Sequence, residues 1–378
     1  MKGLRIYLVT VFVLTYAAAF WLMSAGGAAN PYALMVFSGF MLLPALSVLI
    51  TKLITREGWR DIGFRPRFRG HIRYYLIGWF GPTLLIALGG LAYFLIFPGQ
   101  FDGSMTQIVA ITQQQLAEAG MAAADERTVR LMMAGQLLLG LLAAPLLNII
   151  TTTGEELGWR GYMLPKLIER YSLRVALLLN GLIWGLWHAP MIAMGHNYGL
   201  GYAGAPWGGI AAMVGFCFFA GCLFGYISVR TGSFWPASLA HGSLNGMAAG
   251  AMYFCNDPAP NPFIGPLPTG VIGGCGFIIA GLLIFFLWKQ PQQPAAADQH
   301  IRRRDELHQR KLVAPVIITV LVVLQCTAAA VIWLFSLPTA VKAIVSVGAL
   351  ALAALTVSVL VSRIKEIRSG EEDDLSQY

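Results

Sequence analysis

Charged residues are scarce in this chain of 378 residues: Asp, Glu, Lys and Arg make up only 12% of it, whereas 57% is hydrophobic. Soluble globular domains carry roughly 25% charged residues. The composition therefore excludes an ordinary soluble protein and predicts a membrane protein with several spans. The formal net charge of +8 comes from basic residues in short loops, which set orientation in a membrane, so we expect no nucleic-acid partner.

Several catalytic and redox signatures are missing from the sequence. The five cysteines form no CxxC pair and fall mostly within apolar segments, which predicts packing residues rather than a disulfide framework or a thiolate zinc site. There is no HExxH, no GxSxG and no glycine-rich phosphate loop. The missing HExxH excludes a helix-borne zincin site.

Long apolar runs dominate what is present. A helical span needs about 20 such residues, and the fold class predicted is all-α, a polytopic bundle of transmembrane helices. The first run is longer than the apolar part of a usual signal peptide, so we expect it to remain as a helix. We count ten predicted spans: 6–23, 32–50, 75–97, 131–150, 175–194, 208–229, 234–254, 271–288, 312–335 and 343–361.

The loop charges support this count. If ten spans alternate, most basic residues fall on one side of the membrane, in or near the segments 2–5, 52–73, 160–174, 230, 289–311 and 363–368. The positive-inside rule then places both termini in the cytoplasm. We expect a multi-pass protein of the cell (inner) membrane, in contact with membrane lipids.

Composition also predicts the domain organisation. Residues 1–289 form an eight-helix membrane core, with the polar motifs inside 131–254. Residues 290–311, rich first in Pro, Gln and Ala and then in basic side chains, form a cytoplasmic linker. Residues 312–362 form a C-terminal transmembrane hairpin, and residues 363–378 form an acidic cytoplasmic tail.

Two adjacent carboxylates, Glu155 and Glu156, end the fourth apolar run. A carboxylate at membrane depth costs about 3 kcal/mol even on lenient scales, which makes it a functional candidate. Glu156 and Arg160 are four apart and share a helix face, so we expect them to pair. Glu155 points about 100° away and would be free to take a proton. The alternative is that both carboxylates are solvated at the membrane face and pair with nearby cations.

Two later spans carry further polar residues at helical spacing. Trp184 and His188 share a face at i, i+4, and Pro190 should break the helix just after them. His241 and Asn245 also share a face, which suits donation to an oxyanion or ligation of a metal. The alternatives are a packed histidine in the first case and interhelical hydrogen bonds in the second. We therefore expect the Glu155/Glu156 pair, His188, and His241 with Asn245 to line one shared cavity, rather than to be three unrelated polar positions.

These residues form three motifs: EExxxR from Glu155 to Arg160, FxxxH from Trp184 to His188 with Trp in place of Phe, and HxxxN from His241 to Asn245. In this order the pattern resembles the CAAX prenyl protease and bacteriocin-processing family, which includes the Ras-converting enzymes. The resemblance is strong over 131–254 and extends by architecture over the eight-span core. The ninth and tenth spans go beyond that family.

The resemblance implies an intramembrane peptidase, with roles carried over to the matching residues. Glu155 and His188 would activate a water, His241 and Asn245 would stabilise the oxyanion, and Glu156 and Arg160, with Trp184, would support the site. The sequence does not decide whether the site uses a metal ion. A metal-free site and a zinc site with Glu155, His188 and His241 as candidate ligands both fit it.

The implied partner is a peptide or protein substrate, with or without a lipid modification. Two other functions remain open at this stage. One is a non-proteolytic immunity or scaffold protein built on the same fold. The other is a proton-coupled transporter, which the lack of an internal repeat disfavours.

Overall fold

The computed structural model describes residues 2–59, 62–121 and 124–288, together with five positions between 354 and 361. All regular elements in these ranges are helical, and the one strand-like feature is a single bridge between Phe101 and Cys255. The chain divides into two compact units, Met1–Lys289 and Gln290–Tyr378. The predicted linker, the ninth span, most of the tenth and the acidic tail lie outside the described residues.

The helices follow in chain order. They are α1 Lys2–Ser24, α2 Ala33–Phe40, α3 Leu43–Thr55, α4 Ile72–Ile96, α5 Thr106–Glu118, α6 Glu126–Leu142, α7 Ala144–Leu147, α8 Ile149–Glu156, a π-helix Leu157–Met163, α9 Leu164–Ile168, α10 Leu173–Trp187, α11 Ala189–Ala193, α12 Trp207–Thr231, α13 Trp235–Met247 and α14 Cys275–Leu287. Short 3₁₀ turns occur at Gly27–Ala29, Pro98–Gln100 and Gly250–Phe254.

Within the described ranges, five helical segments are long and apolar enough to cross a membrane, which confirms the prediction of a polytopic helical bundle. They are Lys2–Ser24, Ala33–Thr55, Ile72–Ile96, Leu173–Ala193 and Trp207–Thr231. The structure does not show the predicted spans 131–150, 234–254 and 271–288 as single helices of spanning length. The last contains only the shorter apolar helix Cys275–Leu287.

Helix-breaking residues explain two of the interruptions. Pro145 is the second residue of α7, in the first turn, where its missing N–H is tolerated. The fourth predicted span is divided into α6, α7 and α8. The predicted break near Pro190 is confirmed, since α10 ends at Trp187 and α11 starts at Ala189. Both interruptions lie beside polar residues of the motifs.

Helix α13 occupies the centre of the bundle, where it packs against α4, α7, α8 and α12. Small residues permit this close packing: Gly242 faces the backbone of Pro145, and Gly78 of α4 faces Pro236. Helix α13 is buried continuously from Pro236 to Leu244. The fold therefore places the α13 histidine beside the end of α8.

Candidate active site

Glu155 lies at the end of α8 with only 2% of its surface exposed. Two indole groups donate to the same carboxylate oxygen: Trp184 Nε1 lies 2.8 Å from Oε2, and Trp159 Nε1 lies 3.3 Å from it. No described residue donates to Oε1. The carboxylate is thus held at one oxygen, and the other remains available to a water or substrate.

Glu156 is completely buried, and one of its oxygens contacts both a guanidinium and an imidazole. Its Oε1 lies 3.0 Å from Arg160 Nη1 and 2.9 Å from His241 Nδ1. Because a carboxylate only accepts, His241 donates through Nδ1, and its Nε2 is directed elsewhere. The predicted pairing of Glu156 with Arg160 is present, and the alternative of two solvated carboxylates is wrong.

Arg160 holds the cluster together through its planar group as well as its charge. The guanidinium carbon lies 4.2 Å from the ring centroid of Trp184 and 5.3 Å from that of Phe224. A buried guanidinium stacked on an aromatic face is stabilised by the ring quadrupole. Gly221 of α12 leaves room for this stack, since a Cβ there would lie 3.2 Å from Arg160 Nη2.

His188 follows the last residue of α10 and is half-buried. Its Nδ1 lies 2.9 Å from the carbonyl oxygen of Trp184 and 3.8 Å from Cys217 Sγ. The carbonyl can only accept, so Nδ1 carries the proton and Nε2 keeps its lone pair. No hydrogen bond joins His188 directly to Glu155 within the described residues, and Trp184 contacts both.

Asn245 lies one turn beyond His241 on α13, at the point where the helix leaves the packed interior. Its side chain is exposed and makes no hydrogen bond to any described residue. The structure therefore brings Glu155, Glu156, Arg160, Trp184 and His241 into one cluster with His188 at its edge. Asn245 shares a helix with that cluster without contacting it.

The backbone around the carboxylates is tightly packed because of its glycines. A Cβ at Gly154 would lie 2.5 Å from the carbonyl oxygen of Met41, and one at Gly158 would lie 2.5 Å from the hydroxyl of Tyr7. The segment that follows, Leu157–Met163, is a π-helix, a form often found at functional sites. These glycines therefore permit the close approach of α1, α3 and the end of α8.

Several buried polar atoms of the cluster have no partner among the described residues. They are Glu156 Oε2, Arg160 Nε and Nη2, Tyr7 Oη and Asn180 Oδ1. Such atoms normally bind water or a ligand. The cluster therefore has the character of a hydrated or ligand-binding site rather than that of an apolar core.

The candidate zinc ligands do not form a grouped set in the part of the chain that the structure describes. No three His, Cys, Asp or Glu side chains there are placed so as to hold a metal ion. Nδ1 of His188 and of His241 is already bonded, as it is in many metal-binding histidines. Oε2 of Glu155 accepts from two indoles, so Nε2 of each histidine and Oε1 of Glu155 are the atoms that could face a metal ion.

Two cavities open elsewhere in the described part of the chain. One of about 200 Å³ is lined by Lys52, Glu57, Tyr162 and Lys166, among others. The other, of about 620 Å³, is an apolar groove along α4 that also touches Leu141. Neither cavity is lined by any of the four predicted catalytic residues, so neither is the shared pocket that the sequence predicts.

Sequence reasoning missed two contact residues of the site. Trp159 is four residues after Glu155, and that spacing could have identified its indole as a donor. Phe224 of α12 packs on both Trp184 and His241, with ring centroids at 5.9 and 5.7 Å. No motif marks Phe224, because its role depends on how α12 packs against α10 and α13.

Comparison with known proteins finds similarity in the segment that holds this cluster. Residues 135–247 match the family model described as type II CAAX prenyl endopeptidase Rce1-like, and this range contains all the residues of the cluster except Tyr7. The chain is also 48% identical over 52 residues to CAAX prenyl protease 2 of Methanococcus maripaludis. That alignment spans 14% of this chain and 19% of the relative. Residues 135–247 are thus similar to the Rce1-like CAAX prenyl endopeptidases, which confirms the resemblance drawn from the three motifs.

Proposed function

We propose that this membrane protein is an intramembrane endopeptidase that hydrolyses a peptide bond of a membrane-associated peptide or protein. The observation that carries the proposal is the buried cluster in which Glu155 and His188 are both held by Trp184. The cluster lies inside the Rce1-like segment. A carboxylate and an imidazole with a free lone pair, both held in place, are suited to proton transfer from water.

Glu155 and His188 activate the water in this mechanism. As the water oxygen attacks the carbonyl carbon of the scissile bond, Glu155 Oε1 takes one proton and His188 Nε2 orients the water. The tetrahedral intermediate then collapses, the C–N bond breaks, and the proton passes to the leaving amine. A carboxyl product and an amine product result, so no redox partner is required.

His241 and Asn245 stabilise the negative charge on the oxygen of the tetrahedral intermediate, His241 acting as an imidazolium that donates to Glu156 through Nδ1 and to the oxyanion through Nε2. Glu156 orients His241 through Nδ1, as a buried carboxylate orients a catalytic imidazole in other hydrolases. Arg160 balances the charge of Glu156. These steps use only side chains of this chain, and none depends on a metal ion.

The substrate class follows from the membrane setting and from the relative. A peptide or protein carboxyl-terminal segment held at the membrane would reach a site built into a helical bundle, and a prenylated CAAX end is the first substrate to test. The cell (inner) membrane, with both termini in the cytoplasm, remains the expected location. Residues 1–289 would supply the peptidase core.

The test is a cleavage assay with purified full-length protein and a library of quenched peptides. The library contains matched members with and without an S-farnesyl cysteine three residues before the carboxyl end. We expect wild-type protein to cleave at least one member. Glu155→Gln and His188→Ala should lower kcat/KM by at least about 100-fold while the unfolding temperature remains close to that of the wild type.

Elemental analysis of the same preparation shows whether a metal accompanies the activity. Full turnover by either purified variant would contradict the mechanism. A cellular phenotype that survives Glu155→Gln, with no cleavage of any peptide by the wild type, would favour the immunity or scaffold function instead.

A further inference from the structure

We propose that Trp184 is a positioning residue that fixes both members of the water-activating pair, Glu155 through its indole N–H and His188 through its main-chain carbonyl. This inference rests on the proposed peptidase function. The related motif has phenylalanine at this position, and phenylalanine has no donor. The tryptophan would therefore give this chain a control over its carboxylate that the motif alone does not provide.

The indole contact is the shorter of the two donations to Glu155. Trp184 Nε1 lies 2.8 Å from Oε2, against 3.3 Å for Trp159 Nε1. Hydrogen bonds to a charged acceptor are about twice as strong as neutral ones. Because both donors reach Oε2, the carboxylate plane is fixed and Oε1 is left for the water.

The carbonyl contact depends on the end of α10. In a continuing α-helix the carbonyl of Trp184 would accept the N–H of residue 188. Here that N–H bonds to the carbonyl oxygen of Gly185 at 3.1 Å. The imidazole of His188 donates to the Trp184 carbonyl instead, at 2.9 Å, and its tautomer is thereby fixed with Nε2 unprotonated.

Neighbouring helices hold the Trp184 ring in place. Arg160, which belongs to the π-helix, stacks on the ring with its guanidinium carbon 4.2 Å from the ring centroid. Phe224 of α12 and His241 of α13 pack against it, with ring centroids at 5.9 and 5.5 Å. Since the ring is fixed from three directions, a phenylalanine in its place should keep the packing and lose only the donor.

The same site offers a matched control. Trp187, on the same helix, is also buried, and its indole donates to Thr15 Oγ1 at 2.7 Å rather than to Glu155. Both tryptophans pack against His188, with centroids at 5.8 Å for Trp184 and 4.8 Å for Trp187. Trp184→Phe and Trp187→Phe therefore each remove one buried indole donor and keep a ring beside His188.

The titratable groups that act on Glu155 are unchanged in both variants. They are Glu156 on α8, His241 on α13, Tyr7 on α1 and Cys217 on α12. Arg160, which is paired with Glu156, also stays in place. A difference between the two variants in the titration of Glu155 then reports the lost indole donor.

The first measurement is the pH profile of kcat/KM for the full-length protein with the best peptide of the library. Losing a donor to the carboxylate favours its protonated form. Trp184→Phe should therefore shift the acidic limb to higher pH by about one unit and lower kcat more than it raises KM. Trp159→Phe should shift it in the same direction by less, and Trp187→Phe should leave it in place.

The second measurement does not depend on turnover. Infrared difference spectra against Glu155→Gln identify the carboxyl band of Glu155, whose titration midpoint is followed in each variant. We expect a higher midpoint in Trp184→Phe and no change in Trp187→Phe. Equal midpoints in wild type and Trp184→Phe would overturn the inference, as would equal shifts in the two variants.

The infrared result also separates this inference from the peptidase function. If wild-type protein cleaves no peptide, the proposed function fails while the midpoint still reports the indole contact. If cleavage is normal and the midpoint is unchanged in Trp184→Phe, the function stands and the positioning role is wrong. If Trp184→Phe does not fold, Trp184→Leu, which also lacks the indole donor, replaces it in both measurements with the same expected shift.

Discussion

Nδ1 of His241 donates to Oε1 of Glu156 over 2.9 Å, a contact that joins residues 85 positions apart. The same oxygen accepts from Arg160 at 3.0 Å. One buried carboxylate therefore ties the end of α8 to the π-helix and to α13. Removing its charge should affect folding as well as chemistry, because a buried guanidinium without a counter-ion is strongly unfavourable.

Glu156→Gln should lower the free energy of unfolding by about 3–5 kcal/mol. Arg160→Gln should have a comparable effect, because it leaves the carboxylate uncompensated. The double variant should be less destabilised than the sum of the two, since it leaves neither charge unpaired. Reversible unfolding in mixed detergent micelles gives the three values and their coupling energy.

Glu126 and Arg130 provide the comparison for that cycle. They form an i, i+4 pair of almost the same length, 2.9 Å, but their side chains are 65% and 40% exposed. Glu126→Gln should change the free energy of unfolding by less than about 1 kcal/mol. If Glu126→Gln and Glu156→Gln lowered the free energy of unfolding by similar amounts, burial would not be the reason for the larger loss expected at Glu156.

Gly154→Ala should destabilise the protein, because the added Cβ would lie 2.5 Å from the Met41 carbonyl oxygen and 2.9 Å from Leu42 Cα. Both atoms are backbone, so the helix itself must move. Overpacking of this kind costs about 1–3 kcal/mol. Thermal unfolding followed by tryptophan fluorescence measures the loss.

The matched substitution is Gly135→Ala in α6, where nothing lies within 4 Å of the added atom. Alanine is a better helix former than glycine by about 1 kcal/mol. The control should therefore be neutral or slightly stabilising. A stabilised Gly154→Ala protein would show that the end of α8 is not packed as described.

Glu57, in the loop after α3, should make stability depend on acid pH. Partial burial raises the pKa of this carboxyl, but hydrogen bonds from Lys166 at 3.0 Å and Tyr162 at 3.1 Å outweigh it. The pKa in the folded protein is then below its ordinary value of 4.5. For a lowered pKa, the stabilisation is present above pH 4.5 and is lost as the pH falls through the folded-state pKa.

Wild-type protein should therefore lose part of its stability between neutral pH and the acid range below 4.5. In Glu57→Gln that part of the pH dependence should be absent, and Lys166→Met should reduce it. Unfolding temperatures measured in steps from pH 7 to about pH 3 give the comparison. Identical pH dependence in Glu57→Gln and wild type would show that the contact contributes nothing.

The sequence predicted those parts of the site that depend on local spacing. Glu156 and Arg160 pair because side chains four apart share a helix face. Pro190 ends α10 for a reason intrinsic to proline. The scarcity of charge and the long apolar runs were sufficient to predict a helical membrane bundle.

Contacts between distant helices could not be predicted in this way. His241 meets Glu156, and the Trp184 indole meets Glu155, only because α10, α12 and α13 pack closely at small residues such as Gly181 and Gly221. A hydropathy pattern also reports composition rather than helix continuity. The run 131–150 is almost entirely apolar, yet Pro145 contributes to its division into three helices.

Asn245 and Asn180 should respond to substitution in opposite ways. Asn180 is fully buried and donates to the Trp159 carbonyl at 3.0 Å. Asn180→Ala should therefore lower the free energy of unfolding by about 1–3 kcal/mol. Asn245 is exposed and has no hydrogen bond to the described residues, so Asn245→Ala should change stability by less than about 0.5 kcal/mol.

If Asn245 donates to the oxyanion, its contribution appears only when substrate is bound. Asn245→Ala should then lower kcat by about 100- to 1000-fold with little change in KM, because the interaction forms in the transition state. Steady-state kinetics on the best library peptide, alongside the unfolding data, separates the two asparagines. Wild-type kcat in Asn245→Ala would remove this residue from the oxyanion site and leave His241 as the donor from α13.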